Sequence, residues 1–155
     1  MLSGRRLGVD VGTVRVGVAI SDFHAILASG LGNAVRKESL EDSCKEVLKL
    51  TDGEDLVVIY LGLPLNMAGN HTASTQDAIQ FGATLQNMVN CPVRFIDERL
   101  TTVSATAALR ASGKNSKNGR KIIDQVAATV ILENALQIER STGEYAGKSL
   151  EDLDD

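Results

Sequence analysis

Three short stretches of this sequence place carboxylates in apolar surroundings, where an acid is costly unless something pairs with it. Asp10 sits inside Gly8-Val9-Asp10-Val11-Gly12-Thr13, just before a glycine turn. Asp97 and Glu98 follow directly on the short run Val93 to Ile96. Asp124 breaks Ile122-Ile123-Asp124-Gln125-Val126, near the start of an apolar helical pattern. Successive side chains at a strand end point in opposite directions, so at most one of Asp97 and Glu98 easily joins Asp10. Glu98 has the longer reach and is taken as the partner, which leaves Asp97 for a helix N-terminus or for Arg99. Asp10, Glu98 and Asp124 together would suit one or two Mg2+ or Mn2+ ions, because Mg2+ prefers oxygen ligands. Such a centre activates water and neutralises charge on a phosphate. The competing roles are structural: a turn cap for Asp10, a helix cap for the Asp97–Glu98 pair, and a favourable helix-dipole position for Asp124. His24 and His71 are isolated, read as surface residues, and offer no general base.

The charge distribution bears on the substrate. The net charge of −4 argues at first against nucleic acid. Residues 139–155, however, hold six acids and two bases, which accounts for all of it. Between Arg94 and Lys121 there are seven bases against Asp97 and Glu98 alone. A basic field beside a carboxylate pair suits a phosphate-rich substrate; a solvated helix face would look the same on charge alone. Trp is absent and aromatics make up 3% of the chain, which argues against a platform on which bases stack.

The elements that must position these acids can be read from periodicity. A chain of 155 residues fits one domain. Leu7 to Val11 and Arg15 to Ile20 read as a hairpin, and Gly30 to Val35 as a weaker third strand. Ser39 caps a helix through Leu40, Cys44, Val47 and Leu48, ended by Gly53. The continuous apolar run Leu56 to Leu61 marks a central strand covered on both faces. A loop rich in Gly, Pro and Asn spans residues 62–70, a helix Thr72 to Val89, and a short strand Val93 to Ile96. A further helix is expected from Thr101 or Thr102 to Ser112, a polar basic loop over 113–119, and a long amphipathic helix Ile122 to Ile138. Residues 141–155 are polar and acidic and are expected to be a disordered tail beyond a domain of residues 1–140. This order predicts an α/β fold, a mixed sheet with helices on its faces.

Cys44 and Cys91 are far apart and lack neighbouring ligands, which fits two thiols in a reducing cytoplasm. No signal-peptide stretch or membrane-length apolar run is read, so a cytoplasmic protein is expected.

Four blocks carry a resemblance: Gly8 to Ala19, Gly62-Leu63-Pro64-Leu65-Asn66-Met67-Ala68-Gly69, Asp97-Glu98-Arg99-Leu100-Thr101-Thr102, and Ile123-Asp124-Gln125-Val126-Ala127-Ala128. In this order and spacing the chain resembles the YqgF/RuvX family of RNase H-like nucleases. The resemblance implies an RNase H-like five-stranded mixed sheet flanked by helices. It also implies a metal-dependent nuclease acting on the 5′ end of precursor 16S rRNA, with Holliday junction DNA as the alternative substrate, and catalytic and metal-binding roles for Asp10, Glu98 and Asp124. Ala68 departs from the family, which often carries an acid there. The expected nucleic-acid contacts are Arg15, Asn66, Arg99, Lys114, Lys117, Arg120 and Lys121. Each amphipathic helix has one apolar face and the sheet needs it, so a monomer or weak dimer is expected. Two other readings compete. The opening block is similar to the phosphate hairpin of actin-like ATPases, which need a second such domain. A non-catalytic nucleic-acid-binding module would gain nothing from acids that repel phosphate.

Overall fold

The computed structural model describes the backbone of residues 3–100 and 116–153, and the side chains of residues 3–99 and 125–153. The first apolar run forms β1 (Arg5–Val11), which turns back into β2 (Arg15–Ser21) and then β3 (Ala28–Val35). These three strands are an antiparallel meander. The second apolar run forms β4 (Leu56–Leu63), which lies parallel to β1, and β5 (Val93–Asp97) lies parallel to β4. The sheet order is therefore β3-β2-β1-β4-β5. The parallel strands β1, β4 and β5 finish at the same end of the sheet, and their C-terminal ends carry Asp10, Gly62 and Asp97.

The helices form where their caps are written. Ser39 accepts a hydrogen bond from the Asp42 amide and opens α1 (Leu40–Leu50). Thr72 and Thr75 form a reciprocal capping box that opens α2 (Ala73–Gln86). Both pack on one face of the sheet, where Cys44, Val47, Phe81 and Leu85 meet Leu7, Val9, Ile59 and Leu61. A long helix, α3 (Ser116–Thr142), covers the other face, where Ala128, Ile131, Leu132 and Ala135 meet Val58, Tyr60 and Ile96. Alternate residues of β4 thus enter both layers, which is why its sequence is apolar throughout. Both cysteines are free, and burial pushes their thiols up, Cys44 to about 11. Among the described residues, no helix is long and apolar enough to cross a membrane.

Two expectations fail. The basic loop was expected to run through Gly119, but α3 already begins at Ser116. Once its apolar face is docked, each added residue gains a backbone hydrogen bond, and this carries the helix through Gly119 at a cost of about 1 kcal/mol relative to Ala. The expected helix over 101–112 and the loop residues 113–115 lie outside the described residues.

The acidic tail is not disordered through Leu153. The Lys148 amide and carbonyl pair with Phe95, at 3.0 and 2.8 Å, and close the outer edge of β5. Arg94 donates to the carbonyls of Ala146 and Gly147, both at 2.6 Å. Ala146 is buried, and Leu150 and Leu153 pack against the core. Composition concealed this because a few well-spaced apolar residues, rather than the average, do the docking.

A buried polar network ties that tail to the sheet. Arg6 and Glu139 are each 2% exposed. The Arg6 guanidinium donates to Glu139 Oε1 at 2.9 Å and to the Gly4 carbonyl at 2.6 Å. The Tyr60 hydroxyl donates to Glu139 Oε2 and accepts from the Ala146 amide at 3.2 Å. Removing one partner of a buried pair strands the other, at a cost of about 3–5 kcal/mol. Glu139→Ala should therefore lower unfolding stability in urea by about that amount; a loss under about 1 kcal/mol, the scale of an exposed ion pair, would contradict this account.

Candidate active site

The sheet register brings Asp10 and Glu98 together. Val9 pairs with Leu61 across β1 and β4, so the next residues along, Asp10 and Gly62, are also side by side. Gly62 pairs in turn with Ile96 of β5, two residues before Glu98. Gly8 has α3 beside it: a Cβ there would lie 2.8 Å from Ala128 O and Leu132 Cβ. Asp10, two residues on, shares that face.

Glu98 begins the single 3-10 turn Glu98–Leu100 that ends β5, and its side chain folds back over Gly62. A Cβ on Gly62 would stand 2.5 Å from Glu98 Oε1 and 2.7 Å from its Cγ. The missing side chain is what allows Glu98 to cross β4 and hydrogen-bond to Asp10. Burial first, then the hydrogen bond to Asp10 and the charges of Asp10 and Asp97, push the Glu98 carboxyl up to about 9. The shift is in the direction that favours the neutral form of Glu98 beside a second acid.

Asp97 turns the other way. It accepts from Arg99 Nη2 at 2.6 Å and from Arg99 Nε at 3.0 and 3.1 Å. This Arg99 guanidinium holds the Asp97 carboxyl below the usual carboxylate range. Glu98 meets Asp10, and of the two partners left open for Asp97, a helix N-terminus or Arg99, the structure shows Arg99.

The loop after β4 forms one wall. Asn66 Oδ1 accepts from the amides of Ala68 and Asn70, at 3.0 and 2.9 Å. The backbone closes the same turn from Asn70 O to Asn66 N and from Asn66 O to Gly69 N. Gly69 has φ +85°, where a side chain would be strained, and a Cβ there would lie 3.1 Å from Arg99 Nη1. Asn66, expected to touch nucleic acid, spends its carbonyl oxygen on its own loop. Arg99, also expected to touch nucleic acid, is exposed and already paired with Asp97. Arg15 begins β2 next to the turn after Asp10, and its carbonyl accepts from the Gly12 amide at 3.0 Å.

Sequence reading missed Arg36. Its guanidinium donates to the Gly12 carbonyl at 2.8 Å and pairs with Asp77 of α2 at 2.8 and 3.1 Å. It therefore fastens the turn after Asp10 to α2. No local motif marks it, because its partners lie 24 and 41 residues away. Gly62 was also missed as a site residue, although its place in the Gly62-to-Gly69 block was a signal.

Asp124, Lys117, Arg120 and Lys121 fall on the first turns of α3, where backbone but not side chains is described, and Lys114 lies outside the described residues. Among the described residues, no three His, Cys, Asp or Glu side chains form a metal cluster. His24 and His71 are exposed, as expected.

Gly62→Ala tests the close approach. Its backbone needs no positive φ, so the added methyl displaces Glu98 rather than the strand. Stability should fall by no more than about 1–3 kcal/mol, while any activity that needs Asp10 and Glu98 together should drop at least about tenfold. Unchanged activity with unchanged stability would show that Glu98 need not cross β4.

Comparison with known proteins places this geometry in a family. The RuvX family model, described as Holliday junction resolvase, matches residues 4–138. A protein of Leifsonia xyli subsp. xyli with the provisional name pre-16S rRNA nuclease is 48% identical over 151 residues, covering 97% of each chain. A Corynebacterium jeikeium protein with the same provisional name is 45% identical over 138 residues, covering 88% of each. The solved structure of Thermus thermophilus RuvC in complex with a Holliday junction substrate aligns over 90% of this chain and 97% of its own, with a TM-score of 0.56 and 16% identity. The fold is the RNase H-like α/β sheet, and the chain belongs to the RuvX family.

Proposed function

We propose that this chain is a metal-dependent nuclease that hydrolyses phosphodiester bonds in 5′-end processing of precursor 16S rRNA, with Asp10, Glu98 and Asp124 as its catalytic carboxylates. The observation that carries the reading is the hydrogen bond between Glu98 and Asp10 across Gly62. A protein gains no stability from forcing two acids together; a bound cation is what rewards it.

The donors fit a divalent ion. Both are hard carboxylate oxygens at the C-terminal ends of parallel strands, where α/β sheets bind ligands. The backbone spacing supports Asp124 as the third donor. Glu139 of α3 meets Arg6, and Ala128 and Leu132 lie by Gly8, so α3 runs antiparallel to β1. From Ala128 back to Asp124 is about 6 Å along a helix, and from Gly8 on to Asp10 is about 6.6 Å along a strand. Both steps run toward the same end of the sheet, which supports Asp124 as the third donor. Asp10, Glu98 and Asp124 would hold one or two Mg2+ or Mn2+ ions, which when bound supply the charge that activates water and neutralises the phosphate. Arg99, restrained by Asp97 and the Gly69 turn, is placed to meet a phosphate backbone, as is Arg15 beside the hairpin turn. Lys114, Lys117, Arg120 and Lys121 extend the basic field. The proteins named pre-16S rRNA nuclease favour RNA as the substrate, and the RuvC complex makes branched DNA the alternative. A cytoplasmic protein acting as a monomer or weak dimer fits this reading.

Asp10→Asn should lower cleavage on the order of 10²-fold or more, while leaving the fold as stable as wild type or more so in chelator, because it removes one of two acids crowded together in a buried place. Saturating Mn2+ should raise the melting temperature of wild type more than that of the variant, with about 2.7 kcal/mol expected at 100 times Kd. The assay is cleavage of a precursor 16S rRNA 5′ fragment and of a four-way DNA junction at equal concentrations. Cutting of the RNA by wild type alone supports the proposal. Symmetric nicking of the junction by a stable dimer, with the RNA left whole, would replace it by the resolvase reading, since two symmetric cuts need two sites. Equal Mn2+ shifts in both proteins would remove Asp10 from the metal site.

A further inference from the structure

Met67 stands at the tip of the loop between β4 and α2 and is 94% exposed. Single exposed apolar residues are ordinary on protein surfaces. This one differs in its support. Its loop is held by the two bonds to Asn66 Oδ1, by the Asn66–Asn70 and Asn66–Gly69 backbone bonds, and by the Leu65–His71 bridge at its base. Thr75 of α2 anchors the loop further by donating to the Pro64 carbonyl. The side chain therefore cannot be withdrawn by an easy relaxation of the loop.

The loop also stands beside the carboxylates. It grows from the end of the strand whose Gly62 lies beneath Glu98, and its Gly69 turn lies against Arg99. No described aromatic side chain could serve there instead: Tyr145, half-buried, packs against the core on the α3 face of the sheet. Tyr60, Phe81 and Phe95 are buried. Phe23 is exposed, but it lies at the opposite end of the sheet, where its carbonyl accepts from Gly4 just before β1. A thioether is flexible and polarisable and packs well on ring faces. Apolar side chains, Met among them, open base steps by inserting between them.

We infer that Met67 is a wedge: it enters the base stack next to the scissile phosphate and holds the strand unstacked at the step that Asp10 and Glu98 address. It is a specificity-determining residue, and this rests on the nuclease reading above. It makes the preferred substrate a nucleic acid whose stacking yields readily at the cut, such as a helix end, a bulge or a branch point.

The test uses the full-length protein and a set of RNA hairpins carrying 2-aminopurine at successive steps, so that an unstacked step is located whether or not the RNA is cut. In chelator, where binding proceeds without cleavage, wild type should raise the probe's fluorescence severalfold. Met67→Ala should bind with similar affinity and leave it near the free-RNA value, while Met67→Leu should behave as wild type. With Mg2+, Met67→Ala should lose about tenfold in turnover on the stacked hairpin and less than about twofold on the same hairpin with an abasic position at that step. The same fluorescence rise in Met67→Ala, or equal losses on both hairpins, would overturn the wedge. Wild type that binds and unstacks the RNA but never cuts would refute the nuclease reading and leave the wedge standing. Wild type that binds neither this RNA nor a labelled four-way junction would refute both.

Discussion

The contact on which the site depends is one between two acids that ought to repel. Glu98 reaches Asp10 only because Gly62, between them in the sheet, has no side chain. The contact also buries a carboxyl: burial first, then the hydrogen bond to Asp10 and the charges of Asp10 and Asp97, push Glu98 up to about 9. Both conditions cost something. Glycine within a strand loses more backbone entropy on folding than other residues, and a buried carboxyl loses its water. Stability alone gives no reason to keep them. A divalent cation does, because it turns the repulsion into coordination.

The rest of the molecule steadies the two ends of that contact. Arg36 ties the turn after Asp10 to α2, through the Gly12 carbonyl and Asp77. On the other side, the C-terminal residues close the edge of β5 through Phe95 and Lys148, a short distance before Glu98. The tail is itself fixed by Tyr60 and by the Arg6–Glu139 pair on the sheet. These fixings are long-range in sequence, so a short segment carrying either acid would not keep its geometry. Orientation of reacting groups to within about an ångström is where much catalytic advantage lies.

Much of this was legible in the sequence because it is local or periodic. The five strands, the Ser39 cap and the two-faced burial of β4 follow from hydrophobic spacing and cap chemistry. The approach of Glu98 to Asp10 followed from strand alternation and side-chain reach, which left Asp97 for a helix N-terminus or for Arg99. What could not be read was set by distant partners. Arg36 acts through residues 24 and 41 positions away. The tail looked disordered because its net charge hides the few apolar residues that dock, and Gly119 looked like a loop because its propensity is overridden by the packing of α3. Met67 carried no signal until the rigidity of its loop and its exposure were seen together.

The central claim is that Asp10 and Glu98 are brought together for a divalent cation. Anomalous diffraction from crystals of the full chain grown with Mn2+ tests it most directly. The account predicts a peak about 2.1 Å from carboxylate oxygens of both residues, with their mutual hydrogen bond replaced by coordination and position 124 on the same ion. Mn2+ bound only elsewhere, with Glu98 still hydrogen-bonded to Asp10 across Gly62, would contradict it.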